Sequence, residues 1–129
     1  MGRIIAQTRV TNLFDEGKSI HCGMFVDTGA GALMLPMAWK ERLGRFQRSE
    51  AVELQLANGD VVSGEACWPV EVEIEGFRPV SNEVVFLESD GEGGEVEEPL
   101  LGYVILEQAQ AAVDMVGHRL VPVRYIDLK

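Results

Sequence analysis

Apolar and polar residues alternate in several short stretches of the chain. This period of two is typical of a β-strand that buries one face and exposes the other. Asn58-Gly59 follows one of these stretches and favours a tight hairpin, because both central residues of a type I′ turn need positive φ. The strands predicted from the alternation and the hairpin are 3–10, 19–26, 51–57, about 61–67, and 68–75.

Uninterrupted apolar runs predict further strands that are buried on both faces. A short helix is expected at about 36–43, because Pro36 suits the first turn of a helix and Gly44 suits its end. A second short helix is predicted late in the chain. The remaining predicted elements are buried strands at 33–35 and 84–87, a helix at about 103–111, and strands at 113–116 and 119–123.

Seven to nine short strands with regular turn signals predict a mainly β (all-β) fold, arranged as a closed or partly closed barrel. The length of 129 residues suits one hydrophobic core. No internal repeat or linker divides the sequence. A single domain is therefore expected over residues 1–129, with one or two short helices.

The net charge of −10 argues against nucleic acid and anionic membranes as partners, because both attract basic surfaces. No apolar run approaches the roughly 18 residues of a spanning helix, and no secretory signal is evident at the N-terminus. A cytoplasmic location is therefore expected. Cys22 and Cys67 lack metal-ligand spacing and are predicted to be reduced, apolar residues.

Residues 88–99 combine glycines with repelling carboxylates, which predicts a mobile, solvated acidic loop. A calcium site is the alternative for this segment, but the ligand order of an EF-hand is absent. His21 and His118 are far apart in sequence with no third ligand in evidence, so no zinc site is expected. The sequence thus implies neither a metal nor another cofactor.

Asp27 is the strongest candidate for chemistry. It follows apolar residues 25–26, begins the motif Asp27-Thr28-Gly29, and precedes small residues that let another backbone approach closely. An aspartate that only caps a turn would not need an apolar strand on each side. Peptide hydrolysis by carboxylates needs two of them sharing one proton. The chain has one such motif, so an enzyme of this kind would be a homodimer that pairs two Asp27 residues across a two-fold axis.

Residues 25–30, Phe-Val-Asp-Thr-Gly-Ala, resemble the signature of retropepsin-like (clan AA) aspartic peptidases. Leu100-Leu101-Gly102 is similar to the second signature of that family, which precedes a late helix. Residues 106–107, 113–114 and 120–122 continue as in bacterial and archaeal single-domain members. The resemblance covers roughly residues 3–123 and implies the retropepsin-like acid-protease barrel, with one lobe per chain.

The resemblance also implies roles for individual residues. Asp27 would be the catalytic acid and base, and Thr28 would hydrogen-bond across the dimer axis. The hairpin at about 52–67 would be the flap, a mobile hairpin over a peptide or protein substrate. The residues expected to contact substrate are Gly29, Ala30, Gly31, Asn58, Gly59 and Asp60.

Two positions depart from the retroviral pattern. Retroviral members carry a substrate-clamping aspartate where this chain has Gly31, and they pair it with an arginine where this chain has Tyr103. This chain lacks both the aspartate and the arginine, so no charge is left without its partner. The departure predicts that the substrate main chain is bound more weakly or by different groups.

Three hypotheses follow from the sequence. The first is a homodimeric aspartic endopeptidase that is active at mildly acidic pH, because its two carboxylates must hold one proton. The second is a non-catalytic dimer of the same fold that acts as a binding or assembly module. The third is a monomer in which Asp27 is only structural.

Overall fold

The computed structural model describes residues 3–55, 59–88 and 98–124, and within them the chain forms nine β-strands and two short helices. The first helix is a 3₁₀-helix, Met37–Leu43, and the second is an α-helix, α1, Tyr103–Ala109. No helix in these ranges is long and apolar enough to cross a membrane. The strands are β1 (Ile5–Asn12), β2 (Ser19–Val26), β3 (Leu33–Pro36), β4 (Arg48–Gln55), β5 (Val61–Ile74), β6 (Val80–Leu87), β7 (Leu100–Leu101), β8 (Ala111–Asp114) and β9 (Arg119–Pro122).

Six of these strands close into a barrel. The larger sheet has the order β1-β2-β7-β3-β6-β5-β4, and an additional antiparallel pairing of β1 with β5 closes it. β4 lies outside the barrel and pairs with β5, with which it forms a hairpin. β8 and β9 form a separate two-stranded sheet. The prediction of a mainly β barrel with two short helices is therefore confirmed.

Alternation along the strands builds the core. In β1 the even-numbered residues point inward and are buried, whereas Ile5, Gln7 and Arg9 are exposed. Each fully buried large apolar side chain contributes about 1.5–3 kcal/mol to folding. The largest of them include Ile20, Met24, Leu35, Phe86, Leu101 and Ile105.

One buried polar residue, Asn12, fixes the end of the 3₁₀-helix against β1. Its Nδ2 donates to the carbonyl oxygens of Leu43 at 2.7 Å and Arg45 at 2.8 Å. Its Oδ1 accepts from the backbone N–H of Phe14 at 2.9 Å. Asn12 is fully buried, so these bonds compensate for the water that its amide loses on folding.

Several boundaries differ from the sequence prediction. The strands predicted at 61–67 and 68–75 form one continuous strand, β5, whose pairing with β6 shifts register between Cys67 and Val70. The first helix is a 3₁₀-helix and begins one residue after Pro36. The late helix ends at Ala109, so β8 begins at Ala111 instead of residue 113. Residues 89–97 of the predicted acidic loop lie outside the described residues.

Candidate active site

The order of three strands determines where Asp27 lies. β7 is inserted between β2 and β3, with Val26 opposite Leu101 in a parallel pair and Met34 opposite Leu100 in an antiparallel pair. The chain that leaves β2 must therefore pass across β7 to reach β3. The loop at 27–32 makes this crossing, and Asp27 is its first residue.

Hydrogen bonds fix Asp27 at the end of β2. Its backbone N–H donates to the carbonyl oxygen of Leu101 at 3.1 Å, which continues the ladder between β2 and β7. Its side-chain Oδ1 accepts from the N–H of Gly29 at 2.9 Å, and its carbonyl oxygen accepts from the N–H of Ala30 at 3.1 Å. Asp27 is half-buried as a residue, and its carboxylate is held in one orientation by the turn that follows it.

The start of α1 holds the other side of the loop. The first N–H groups of a helix have no partner within the helix. Here the N–H of Tyr103 donates to the carbonyl oxygen of Ala30 at 2.8 Å, and the N–H of Val104 donates to that of Gly31 at 3.1 Å. The loop is therefore bonded to β7 at one end and to α1 at the other.

Gly102 allows this close approach. A Cβ atom built on Gly102 would lie 2.4 Å from the carbonyl oxygen of Ala32 and 2.6 Å from the carbonyl carbon and oxygen of Gly31. Real Cβ atoms essentially never come within 3.0 Å of other heavy atoms. The two sequence motifs, 27–29 and 100–102, thus meet in the fold, although 70 residues separate them.

The predicted site residues fall into two groups. Asp27, Thr28, Gly29, Ala30 and Gly31 share the loop after β2, where Thr28 and Gly29 are exposed. Gly59 and Asp60 belong to the turn between β4 and β5, and both are exposed. Gly59 has φ of +93°, which fits a glycine in a tight turn. Asn58 lies outside the described residues.

No sequence pattern indicated the contacts of Arg3 with Phe25 and Glu98, which lie close to Asp27. The guanidinium of Arg3 lies over the ring of Phe25 at 4.6 Å and hydrogen-bonds both carboxylate oxygens of Glu98. The N–H of Phe25 donates to the carbonyl oxygen of Pro99 at 3.0 Å. The hydrogen bond from Arg3 holds the pKa of Glu98 below its ordinary value. These contacts hold the residues before β7 against the end of β2.

Within residues 3–55, 59–88 and 98–124, no group of three or more His, Cys, Asp or Glu side chains is arranged to hold a metal ion. The loop itself presents one fixed carboxylate, the hydroxyl of Thr28 and exposed main-chain atoms.

Comparison with known proteins identifies this arrangement. The family model described as "Aspartyl protease" matches residues 10–105, which include both the Asp27 loop and Gly102. No curated protein matches the chain by sequence.

Two solved structures share the fold. EIAV protease, in complex with the inhibitor HBY-793, is 19% identical with a TM-score of 0.59, and the match covers 88% of this chain and 92% of that chain. The retroviral protease-like domain of Ddi1 from Leishmania major is 15% identical with a TM-score of 0.55, covering 97% of this chain and 92% of the other. The chain belongs to the aspartyl protease family and has the retropepsin-like fold.

Proposed function

We propose that the protein is a homodimeric aspartic endopeptidase in which two Asp27 carboxylates, one from each subunit, activate a water molecule. The observation that supports this most strongly is the rigid presentation of one carboxylate on a loop bonded to β7 and α1. A single carboxylate of this kind performs half of the acid–base chemistry. A two-fold axis beside the loop would supply the second.

The reaction follows from two carboxyl groups that share one proton. The ionised Asp27 takes a proton from water as the water oxygen bonds to the peptide carbonyl carbon. The protonated Asp27 of the other subunit gives its proton to the carbonyl oxygen, which produces a tetrahedral diol. The C–N bond then breaks as the protonated carboxyl gives its proton to the amide nitrogen and the ionised one takes a proton from a hydroxyl of the diol. One product acid and one product amine leave, and the pair again holds one proton.

We assign supporting roles to the rest of the loop and to the hairpin. Thr28 is exposed at the loop surface, where its hydroxyl is available to bond across the two-fold axis. The N–H of Gly29 is already bonded to Asp27, so its carbonyl oxygen is the group that we assign to substrate. The β4–β5 hairpin is proposed as the flap, and Asn58, Gly59 and Asp60 are proposed as its contacts to substrate.

Substrate binding is proposed to differ from that of retroviral members. Gly31 has no side chain, and its carbonyl oxygen is already bonded to the N–H of Val104. Space is open beside Gly31, since nothing lies within 4 Å of the position that a Cβ would occupy. We therefore propose that the substrate main chain is held chiefly by the flap and by the carbonyl oxygen of Gly29. Ala30 offers packing contact, because its N–H and carbonyl oxygen are already bonded to Asp27 and Tyr103.

The absence of a charged clamp at Gly31 and Tyr103 favours a second candidate, a dimer of the same fold that binds peptides without cleaving them. Asp27→Asn decides between the two. We expect the wild-type protein to cleave a mixed peptide library at mildly acidic pH and Asp27→Asn to be inactive. Glu107→Gln is the matched control, because Glu107 is exposed on α1 and the change also removes one carboxylate.

Two outcomes would contradict the proposal that the protein is an aspartic endopeptidase. Cleavage that survives in Asp27→Asn would remove Asp27 from the mechanism. A wild-type protein that binds library peptides without cleaving any of them would establish the binding module. Sedimentation of the wild-type protein tests the dimer separately, because a monomer at enzymatic concentrations would contradict it.

We further propose that residues 1–129 act as one domain and that the protein works in the cytoplasm. Strands from both halves of the sequence form the barrel, since β1 pairs with β2 and β5. Cys22 and Cys67 are both free thiols, as expected in a reducing compartment. Localisation of a tagged protein in cells would test the compartment directly.

A further inference from the structure

Positive charge is concentrated in one segment of an acidic chain. Four of the eleven Lys and Arg residues lie within residues 40–48, where Glu41 is the one carboxylate, although the whole chain has a net charge of −10. The segment includes the end of the 3₁₀-helix and the first residue of β4. We refer to Lys40, Arg42, Arg45 and Arg48 as the cationic patch.

The fold holds the backbone of this patch in one conformation. Asn12 bonds the carbonyl oxygens of Leu43 and Arg45, as described above. Gly44 has φ of +74°, and its N–H donates to the carbonyl oxygen of Glu41 at 3.1 Å. A surface whose backbone is already ordered loses less conformational entropy when a ligand binds.

The four cations differ in whether they already contact other side chains of the protein. Lys40 donates to Glu65 at 2.6 Å, and the guanidinium of Arg42 lies over the ring of Trp39 at 4.8 Å. Arg45 and Arg48 are exposed, and neither forms an ion pair with any residue that the structure describes. A guanidinium presents a planar fork of donors that matches a carboxylate.

A groove of about 490 Å³ lies beside the patch and is lined by two of its four cations, Lys40 and Arg45, together with Glu41. Phe46, whose ring packs against Phe86 with centroids 5.8 Å apart, gives it an apolar surface beside the cations. The groove thus offers charge for carboxylates and an apolar wall for the stem of a side chain. Its lining residues are Lys40, Glu41, Gly44, Arg45, Phe46 and Ser49.

We propose that the cationic patch is a docking surface for an acidic segment, rich in Asp and Glu, of a partner protein. Charge complementarity identifies the occupant. A short acidic segment interacts mainly with charges within about 8–10 Å, the Debye length near physiological salt. A nucleic acid or an anionic membrane extends well beyond the patch and meets the surrounding carboxylates of a chain whose net charge is −10.

Fluorescence anisotropy with a labelled peptide of Glu, Asp and Gly tests this proposal. The test compares wild-type protein with Arg45→Glu/Arg48→Glu. The matched control is Arg9→Glu/Arg78→Glu, because both residues are exposed and the change in net charge is the same. We expect the patch variant to lose about tenfold or more in affinity and the control to stay within about threefold of wild type.

The binding measured with wild type should also weaken as salt rises. Asp27→Asn is expected to bind the peptide as the wild type does, so the result does not depend on peptidase activity. An equal loss in both double variants, or no binding by the wild type, would overturn the proposal. Tighter binding to duplex DNA or to phosphatidylserine vesicles than to the peptide would assign the patch to another partner and overturn it as well. Thermal unfolding confirms that each variant is folded.

Discussion

Replacement of Gly102 by alanine tests whether contact between α1 and the Asp27 loop forms the site. The new Cβ would lie 2.4 Å from the carbonyl oxygen of Ala32, whereas an ordinary contact begins at 3.4 Å. The start of α1 and the loop must therefore separate by about 1 Å. That separation lengthens the hydrogen bonds from Tyr103 and Val104 to the loop, which are now 2.8 and 3.1 Å, beyond bonding distance.

The loss of stability and activity in Gly102→Ala can be worked out from these contacts. Two neutral hydrogen bonds contribute about 1 kcal/mol each, and overpacking costs about 1–3 kcal/mol, so Gly102→Ala should lower the free energy of unfolding by about 3–5 kcal/mol. A displacement of about 1 Å at a catalytic group lowers activity by roughly a hundredfold. Urea unfolding and kcat/KM on a cleaved peptide measure the two effects in the same preparation.

Gly17→Ala is the matched control. A Cβ on Gly17 would meet only Asp15 Oδ1 at 3.9 Å, which is an ordinary contact. We expect this change to alter stability by less than about 1 kcal/mol. If Gly102→Ala behaves like Gly17→Ala in both stability and activity, the close approach at Gly102 does not position Asp27 and the reasoning is refuted.

Three further changes test the fold around the site. Asn12→Ala leaves two buried carbonyl groups and one N–H without their bonds, so the free energy of unfolding should fall by about 3 kcal/mol or more in urea titrations. The hydrogen bond from Lys40 lowers the pKa of Glu65 below 4.5, so its stabilisation is present above that pH and is lost as pH falls through the lower folded value. Glu65→Gln should therefore make stability less dependent on pH below about 4.5. Burial raises the pKa of Cys67 to about 11, so a thiol reagent at neutral pH should modify Cys22 first.

Each of these expectations has a contrary result. An Asn12→Ala protein as stable as wild type would mean that water replaces the lost bonds. If the free energy of unfolding of Glu65→Gln falls with pH below about 4.5 as steeply as that of wild type, the ion pair with Lys40 does not contribute to folding. Modification of Cys67 at the rate seen in denaturant would mean that the barrel opens readily at β5.

The strands of the barrel are predictable where one face is buried. In the second half of β5, inward apolar residues alternate with outward polar ones, and in β1 the buried Ala6 and Val10 alternate with the exposed Gln7 and Arg9, so the period of two appears in the sequence. β4 begins three residues earlier than predicted, at Arg48. Its first residues are exposed and polar, so no apolar pattern marks them.

The end of α1 was less predictable than that of the 3₁₀-helix, which ends at Leu43 before Gly44 as predicted, because the residue that ends α1 is unusual for its position. Gln110 takes the left-handed conformation with φ of +58°, and its N–H bonds the carbonyl oxygens of Glu107 and Leu106. Glycine or asparagine usually occupies that position. The sequence therefore gave no stop signal there, and the predicted helix extended two residues too far.

The sequence motif and the strand order of the fold were both needed to locate Asp27. The motif at 27–29 and its apolar neighbours indicated a carboxylate at the end of a strand. Insertion of β7 between β2 and β3 depends on pairing between distant residues, which no local pattern encodes. The contact of Arg3 with Glu98 joins residues 95 positions apart and was not predicted for the same reason.

Subunit mixing tests the central claim, that each active site needs Asp27 from two chains. Wild-type and Asp27→Asn proteins are mixed in equal amounts, unfolded and refolded together, so that dimers form at random. Only about one quarter of the dimers then carry two Asp27 residues, and we expect about one quarter of the activity of the same total amount of wild type. Activity of about one half would show that each chain acts alone and would contradict the shared carboxylate pair.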